Sequence, residues 1–294
     1  MHIFVTGATG FVGSAVVRDL LDHGHKVTGL ARSYAGAEQL ERAGATALLG
    51  TIQDHGILRQ GASGADGVAH LAFNHDFSRF AQNAADDAKA IEVIGGTLEG
   101  SDRPLMVTSG LALQAAGPIA TESDKPGPHF PRQSEAAASA AAARGVRASA
   151  VRLPPSTHGK GDHGFVPILI NIAREKGVAA YIGEGENRWS ATHRADAACV
   201  FRLALERGAA GGPFHAVAEE SIPFRRIAEA IGNGLGLPVV SLAPGEAQAH
   251  FGWFATFAGM DLAASSAHTR DLLGWAPSQP DLLTDMAENG YFDA

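Results

Sequence analysis

Residues 2–13 read His2-Ile3-Phe4-Val5-Thr6-Gly7-Ala8-Thr9-Gly10-Phe11-Val12-Gly13, and this stretch decides the fold of the chain. The apolar run Ile3–Val5 predicts a buried strand, and the glycines that follow at every third position predict a turn. After the turn, Val12, Val16 and Leu20 lie on one stripe of a helix. A strand, a glycine-rich turn and a helix in this order are typical of a dinucleotide-binding unit, in which the helix N-terminus receives phosphates.

Each glycine of the turn has a separate predicted role. Gly7 allows the tight turn, Gly10 lets the backbone approach a diphosphate, and Gly13 lets the helix pack closely on the strand. The alternative is an ordinary strand–turn–helix connection that binds no ligand. The spacing Thr-Gly-x-x-Gly-x-x-Gly resembles that of the extended and atypical short-chain dehydrogenase/reductases. The resemblance implies an α/β fold, a Rossmann-type doubly wound parallel sheet with a smaller C-terminal lobe.

Composition excludes several classes of protein. The chain has 294 residues, of which 45% are hydrophobic and 18% charged, as in a globular protein. A net charge of −8 disfavours nonspecific binding to nucleic acid or anionic membrane. The expected partner is a small-molecule substrate. Neither a signal peptide nor a membrane-spanning run is predicted, and the single Cys199 excludes an internal disulfide. These features favour a cytoplasmic location.

The resemblance covers nearly the whole chain and implies two interleaved parts. A dinucleotide-binding core is expected over residues 1–155 and a substrate-binding lobe over residues 156–294. Residues of about 192–217 are expected to return to the core. The segment Leu273-Gly274-Trp275-Ala276-Pro277 is similar to the family's C-terminal Leu-Gly-Trp-x-Pro element. An alanine-rich helix that begins at Ser134 permits a homodimer.

The end of the second predicted strand, Lys26–Ala31, indicates which dinucleotide is bound. It is followed by Arg32-Ser33 and by no acidic residue. In NAD-binding Rossmann proteins an Asp or Glu near this place holds the ribose 2′-hydroxyl, whereas an arginine suits a 2′-phosphate. We therefore expect NADP(H) rather than NAD(H), with Arg32 and Ser33 at the phosphate. The alternative is a surface arginine on a loop.

Further cofactor contacts follow from the resemblance. Asp54, after the third strand, is implied to touch the adenine, and an N-cap of the next helix is the alternative. The sequence His70-Leu71-Ala72 is similar to the family's fourth-strand motif, which ends beside the cofactor. The predicted cofactor-binding residues are Thr6, Gly7, Thr9, Gly10, Phe11, Val12, Gly13, Arg32, Ser33, Asp54, Leu71, Ala72 and Phe73.

Catalysis is where the sequence departs from the family. Ser109, at the end of the fifth strand, resembles the family's catalytic serine, whose hydroxyl would bond a substrate carbonyl; a strand-end serine that bonds backbone groups is the alternative. The family's Tyr-x-x-x-Lys pair is absent, because Tyr34, Tyr181 and Tyr291 are the only tyrosines and none precedes a suitably spaced lysine. Alignment with the family places Pro131 and Glu135 at the two positions. The standard proton donor is therefore missing.

Basic residues near the positions of the missing tyrosine and lysine are the predicted replacements for that pair. We expect Arg132 to stabilise charge on the carbonyl oxygen and His129 or His158 to donate the proton, since imidazole titrates near neutrality. A solvent-exposed loop is the alternative for Arg132 and His129. The predicted substrate-binding residues are Asn74, His75, His163, Trp189 and His193. Trp189 is either a pocket wall or a core residue. His193 is expected to hold other site residues in place without touching the substrate itself. No metal is predicted, because His158, Asp162 and His163 match no standard spacing.

The sequence thus predicts an NADP(H)-dependent oxidoreductase that passes hydride to or from a carbonyl or imine without the Tyr/Lys pair. A non-catalytic NADP(H)-sensing regulator is one alternative, favoured by the loss of both residues. A nucleotide-sugar epimerase or dehydratase is the other, although such chemistry usually relies on the missing tyrosine.

Overall fold

A computed structural model describes residues 1–111, 113–114, 117–127 and 132–293. The strands are β1 His2–Thr6, β2 Lys26–Ala31, β3 Thr46–Leu49, β4 Gly67–His70, β5 Pro104–Gly110, β6 Leu113–Gln114, β7 Lys125–Pro126, β8 Arg147–Leu153, β9 Ser156–His158, β10 Ala179–Ile182, β11 Arg188–His193, β12 Phe214–His215, β13 Glu219–Pro223 and β14 Val239–Leu242. The α-helices are α1 Phe11–Asp22, α2 Tyr34–Ala43, α3 His55–Ser63, α4 Phe80–Leu98, α5 Ser134–Ala143, α6 Phe165–Lys176, α7 Arg194–Glu206, α8 Phe224–Leu235, α9 Ala247–Phe251, α10 Ala255–Gly259, α11 Ala267–Leu273 and α12 Leu282–Glu288.

The main sheet is parallel and, within the described residues, has seven strands in the order β3-β2-β1-β4-β5-β8-β12. The order reverses between β1 and β4, because β2 and β3 lie on one side of β1 and the later strands on the other. In open parallel sheets ligands bind at the carboxyl ends of the strands beside such a reversal. The predicted doubly wound sheet is confirmed, and it directs attention to the ends of β1, β4 and β5.

Helices cover both faces of this sheet. Ile3 and Val5 of β1 pack in a core with residues of α1, α2 and α7. Phe4 points to the opposite face and packs in a second core with α3, α4 and α5. Because successive side chains of a strand alternate in direction, an apolar strand between two helical layers is buried on both sides. The apolar run in the sequence is explained by this placement.

A second lobe is built around its own aromatic core. Strands β9, β11 and β13 form one small sheet, and β10 pairs with β14 in another. Between them and α6, α8, α9 and α12 lies an apolar core that contains Trp189, Phe224 and Phe254. The chain returns to the main sheet through α7, which packs in the core beside α1, and through β12, which pairs with β8.

The predicted bounds of two elements, the strand Lys26–Ala31 and the helix Phe165–Lys176, are confirmed. Each is bounded by residues that favour the end of a strand or helix. After α6, for example, Gly177 adopts the left-handed conformation. Within the described part of the chain, no helix combines the length and the apolarity required to cross a bilayer.

Candidate functional site

The glycine turn joins β1 to α1 at the carboxyl edge of the sheet. Gly7 has a φ of +66°, and a Cβ there would lie 2.7 Å from the backbone nitrogen of Ala72 at the end of β4. A Cβ on Gly13 would overlap the carbonyl oxygen of Gly7. The N-cap of α1 is Gly10, so no side chain caps the first N–H groups of this helix. Thr9 lies in the turn, and Phe11 and Val12 follow it in the first turn of α1, where backbone N–H groups have no partner within the helix.

The next predicted contacts lie at the ends of β2 and β3. Arg32 is exposed immediately after β2, and Ser33 caps α2 by accepting a hydrogen bond from Gly36 N at 3.2 Å. Asp54 precedes α3, and its Oδ2 accepts from Thr51 N at 2.7 Å and from Thr51 Oγ1 at 2.9 Å. These hydrogen bonds lower the pKa of Asp54. Asp54 therefore orders its own loop, whether or not it also meets an adenine.

A buried chain of hydrogen bonds crosses from β1 to α5. Thr6 Oγ1 lies 2.9 Å from His70 Nδ1, and His70 Nε2 lies 3.1 Å from Asp87 Oδ1. Ser134 Oγ then donates to Asp87 Oδ2 at 2.5 Å. Burial raises the pKa of Asp87, but the bonds from His70 and Ser134 and the charge of Arg132 outweigh it, so the net shift is downward. Asp87 is thus a buried carboxylate that needs a nearby cation.

Arg132 is that cation, and it lies at the ends of β4 and β5. Its Nε donates to Ser134 Oγ at 2.8 Å and its Nη2 donates to the carbonyl oxygen of Thr108 at 2.9 Å. The guanidinium carbon lies 4.2 Å from the centre of the Phe73 ring, a cation–π contact. Ser109, the next residue after Thr108, is buried. Arg132 and Phe73 are therefore in contact at the carboxyl edge of the sheet, where Arg132 also binds the strand that carries Ser109.

His75 belongs to the same group of residues. Its ring lies 5.2 Å from that of Phe73. Although part of its surface is exposed, the protein packed around it lowers the pKa of His75, and electrostatic interaction with Arg132 and His163 lowers it further. The imidazole is therefore neutral at pH 7 and keeps one N–H donor. Asn74 is exposed beside it and accepts a hydrogen bond from Asp76 N at 3.1 Å.

The other predicted histidines lie in the second lobe. His158 is fully buried, and its Nδ1 lies 2.8 Å from Asp285 Oδ2. Burial lowers the pKa of His158, and the bond to Asp285 opposes that shift. His193 caps α7 by accepting from Ala195 N at 3.2 Å, and its ring lies 5.5 Å from that of His158. His129 lies outside the described residues.

The remaining predicted substrate-binding residues, Trp189 and His163, lie in different parts of the structure. Trp189 has no exposed surface and contacts Phe165 and Phe224 in the aromatic core, which favours the core alternative over a pocket wall. His163 is exposed on the loop before α6, and its ring meets that of Phe11 edge-on at 5.7 Å. The structure therefore places His163 beside the glycine turn. No group of three or more side chains that could hold a metal occurs among the described residues.

Comparison with known proteins agrees with the fold. The model of the NAD dependent epimerase/dehydratase family matches residues 3–97. An uncharacterized protein of Schizosaccharomyces pombe is 50% identical over 99% of this chain and 100% of its own length. The chain belongs to the NAD dependent epimerase/dehydratase family. The 2-alkyl-3-oxoalkanoate reductase of Stenotrophomonas maltophilia is 26% identical over 83% of this chain and 78% of its own.

A solved structure confirms the fold of this family member. The dTDP-glucose 4,6-dehydratase of Streptomyces venezuelae, crystallised with NAD, matches with a TM-score of 0.78. The match covers 99% of this chain and 96% of that one at 20% identity. At that identity the likeness concerns the fold alone.

This family member also contains a buried ion pair that sequence reasoning missed. Glu135, aligned with the family's lysine, accepts from Arg152 Nε at 2.9 Å and from Nη2 at 2.8 Å. Arg152 lies on β8 in register with Ser109 on β5 and also contacts His215 at 3.1 Å. The signal in the sequence was an arginine directly after the apolar pair Ala150-Val151 near the end of β8, since a buried arginine requires an acidic partner.

Proposed function

We propose that this protein is an NADP(H)-dependent oxidoreductase acting on a small carbonyl or imine compound without a Tyr/Lys pair. The observation that carries the proposal is the position of Arg132. A guanidinium is fixed by two hydrogen bonds and an aromatic ring at the carboxyl ends of β4 and β5, one strand away from the reversal of strand order. Reduction of a carbonyl places negative charge on its oxygen, and donors fixed in advance stabilise such charge.

The residues present fit a nicotinamide dinucleotide. The glycine turn leaves no room for a Cβ at Gly7 or Gly13, and it ends in the uncapped N-terminus of α1, which suits a diphosphate. Exposed Arg32 supports the preference for NADP(H), because it has room for a 2′-phosphate. When bound, the nicotinamide ring supplies or accepts the hydride.

Ser109 and Arg132 would orient the substrate oxygen, with Arg132 balancing the charge that develops on it. Asp87 and Ser134 would hold the guanidinium in position. A proton must also reach that oxygen. The surrounding protein and the nearby charge of Arg132 lower the pKa of His75, whereas His158 is enclosed in the second lobe. His75 therefore joins the predicted His129 and His158 as a candidate donor.

Deuteride transfer tests this proposal. The protein is incubated with NADPH carrying deuterium at C4 of the nicotinamide and with a panel of ketones, aldehydes and cyclic imines, and products are examined by mass spectrometry. We expect label in at least one product, and its loss in the Arg132→Ala variant. Tight NADPH binding without label in any product would contradict the oxidoreductase proposal and favour a dinucleotide-sensing regulator.

A further inference from the structure

Helices α1 and α7 lie side by side with their N-termini at the same edge of the sheet. The guanidinium of Arg194, the first residue of α7, lies 5.0 Å from the ring centre of Phe11, the first residue of α1. Eight residues further along both helices, Arg202 Nε donates to Asp19 Oδ2 at 2.8 Å. Contacts at equal spacing mean that the helices run parallel. The positive ends of both helix dipoles therefore face the glycine turn.

The second lobe makes room for the Arg194 side chain. Gly159 has a φ of +138°, and a Cβ there would lie 3.2 Å from Arg194 Cγ and 2.9 Å from His193 Nε2. His163, four residues later in the same loop, also contacts the Phe11 ring, edge-on at 5.7 Å. Arg194 and His163 thus both contact the residue that begins α1.

Among the described residues, the charge of Arg194 has no counterpart. Its side chain is partly buried, yet within the described residues the guanidinium makes no hydrogen bond or ion pair. Other buried or partly buried arginines differ, because Arg132, Arg152 and Arg202 each donate hydrogen bonds. Partial burial of an unpaired cation is unfavourable, and an anion bound beside it would offset that cost.

We propose that Arg194, assisted by His163, forms a second wall of the diphosphate site next to the N-terminal N–H groups of α1. The assignment rests on the proposed dinucleotide binding and extends it, because Arg194 comes from the return helix rather than from the glycine turn. The ligand class is the diphosphate of a nucleotide. The planar guanidinium fork matches two phosphate oxygens at once.

Calorimetric titration of the full chain tests the assignment with three probes. These are NADPH, ADP, which has the diphosphate, and adenosine 2′-monophosphate, which lacks it. We expect Arg194→Gln to raise the Kd for NADPH and for ADP about tenfold, as loss of one charge-assisted contact does. The Kd for adenosine 2′-monophosphate stays unchanged. Arg194→Lys recovers part of the loss, because lysine keeps the charge but not the fork.

The matched control is Arg207→Gln, since Arg207 is exposed at the other end of α7. It removes the same charge from the same helix, and all three Kd values are expected to stay at those of the wild type. Melting temperatures of each variant verify the fold.

The outcomes separate the two proposals. Unchanged NADPH and ADP binding in Arg194→Gln overturns the assignment and leaves the proposed function intact. Wild-type binding of ADP that Arg194→Gln weakens, without binding of any nicotinamide dinucleotide, supports the assignment and refutes the proposed function. A wild type that binds neither ADP nor a dinucleotide overturns both.

Discussion

Arg132 makes each of its contacts through a different part of its side chain. Its Nε and Nη2 donate hydrogen bonds and its flat face lies on Phe73. Lysine keeps the charge but has neither the fork nor the flat face. We expect Arg132→Lys to lower kcat about 100-fold, the usual effect of losing a donor to a developing oxyanion, with little change in KM. Initial rates with a substrate whose product acquires deuterium check this, and Arg144→Lys, at the C-cap of α5, is the control. A wild-type kcat in Arg132→Lys would exclude the catalytic role.

Arg32 carries the prediction of cofactor preference. It is exposed after β2, and no acidic residue follows it before Glu38. Removal of a guanidinium that pairs with a 2′-phosphate affects NADPH and not NADH. We expect Arg32→Ala to raise the Kd for NADPH by about tenfold or more and to leave the Kd for NADH unchanged, as measured by fluorescence titration. The control is Arg42→Ala, an exposed position at the end of α2. Equal weakening of both dinucleotides would refute the preference.

At the scale of elements, we expect replacement of two helical glycines by alanine to change stability in opposite directions. A Cβ on Gly13 of α1 would overlap the Gly7 carbonyl oxygen, whereas a Cβ on Gly96 of α4 meets nothing within 4 Å. We expect Gly13→Ala to destabilise the protein and abolish NADPH binding, because helix and turn must separate. Gly96→Ala is expected to raise the free energy of unfolding by up to about 1 kcal/mol, since alanine favours a helix. Urea unfolding followed by circular dichroism distinguishes them, and a stable, ligand-binding Gly13→Ala protein would contradict the first expectation.

Strands, helices and the glycine turn were predictable because their signals lie within a few residues of one another. The apolar run of β1 and the missing acidic residue after β2 needed no knowledge of distant contacts. The hydrogen bonds of the site could not be predicted in this way. Asp87 meets Ser134 across 47 positions and His158 meets Asp285 across 127. Such pairs depend on which helix packs over which strand, and that order is set by the whole chain.

Burial of histidines makes the stability of the whole molecule depend on pH. Burial lowers the pKa values of His158 and His215 below their usual value of 6.5. Below that pH the unfolded chain binds more protons than the folded one, so the free energy of unfolding falls as the pH falls. Each such histidine contributes at most about 1.4 kcal/mol per pH unit. This contribution to stability is complete above pH 6.5. It is lost as the pH falls from 6.5 towards the lower pKa of each histidine in the folded protein.

The variant His158→Asn isolates one contribution, because its amide can still donate to Asp285. We expect a shallower decline in the free energy of unfolding below pH 6.5, measured by urea unfolding at several pH values. His23→Asn, on the exposed surface, is expected to keep the wild-type decline. An identical pH dependence in all three proteins would exclude His158 as a source.

The loop that carries His163 is tied down by residues synthesised much later. Tyr291 accepts a hydrogen bond from Gly159 N at 3.1 Å and donates to Asp162 Oδ2 at 3.0 Å, and Asp285 holds His158. During translation the strands β1 to β5 and the glycine turn leave the ribosome first. The loop stays without its anchor until residues 285–291 have also emerged. A nascent chain therefore displays the turn long before the loop beside it is fixed, and it acquires the complete site only when these last contacts close.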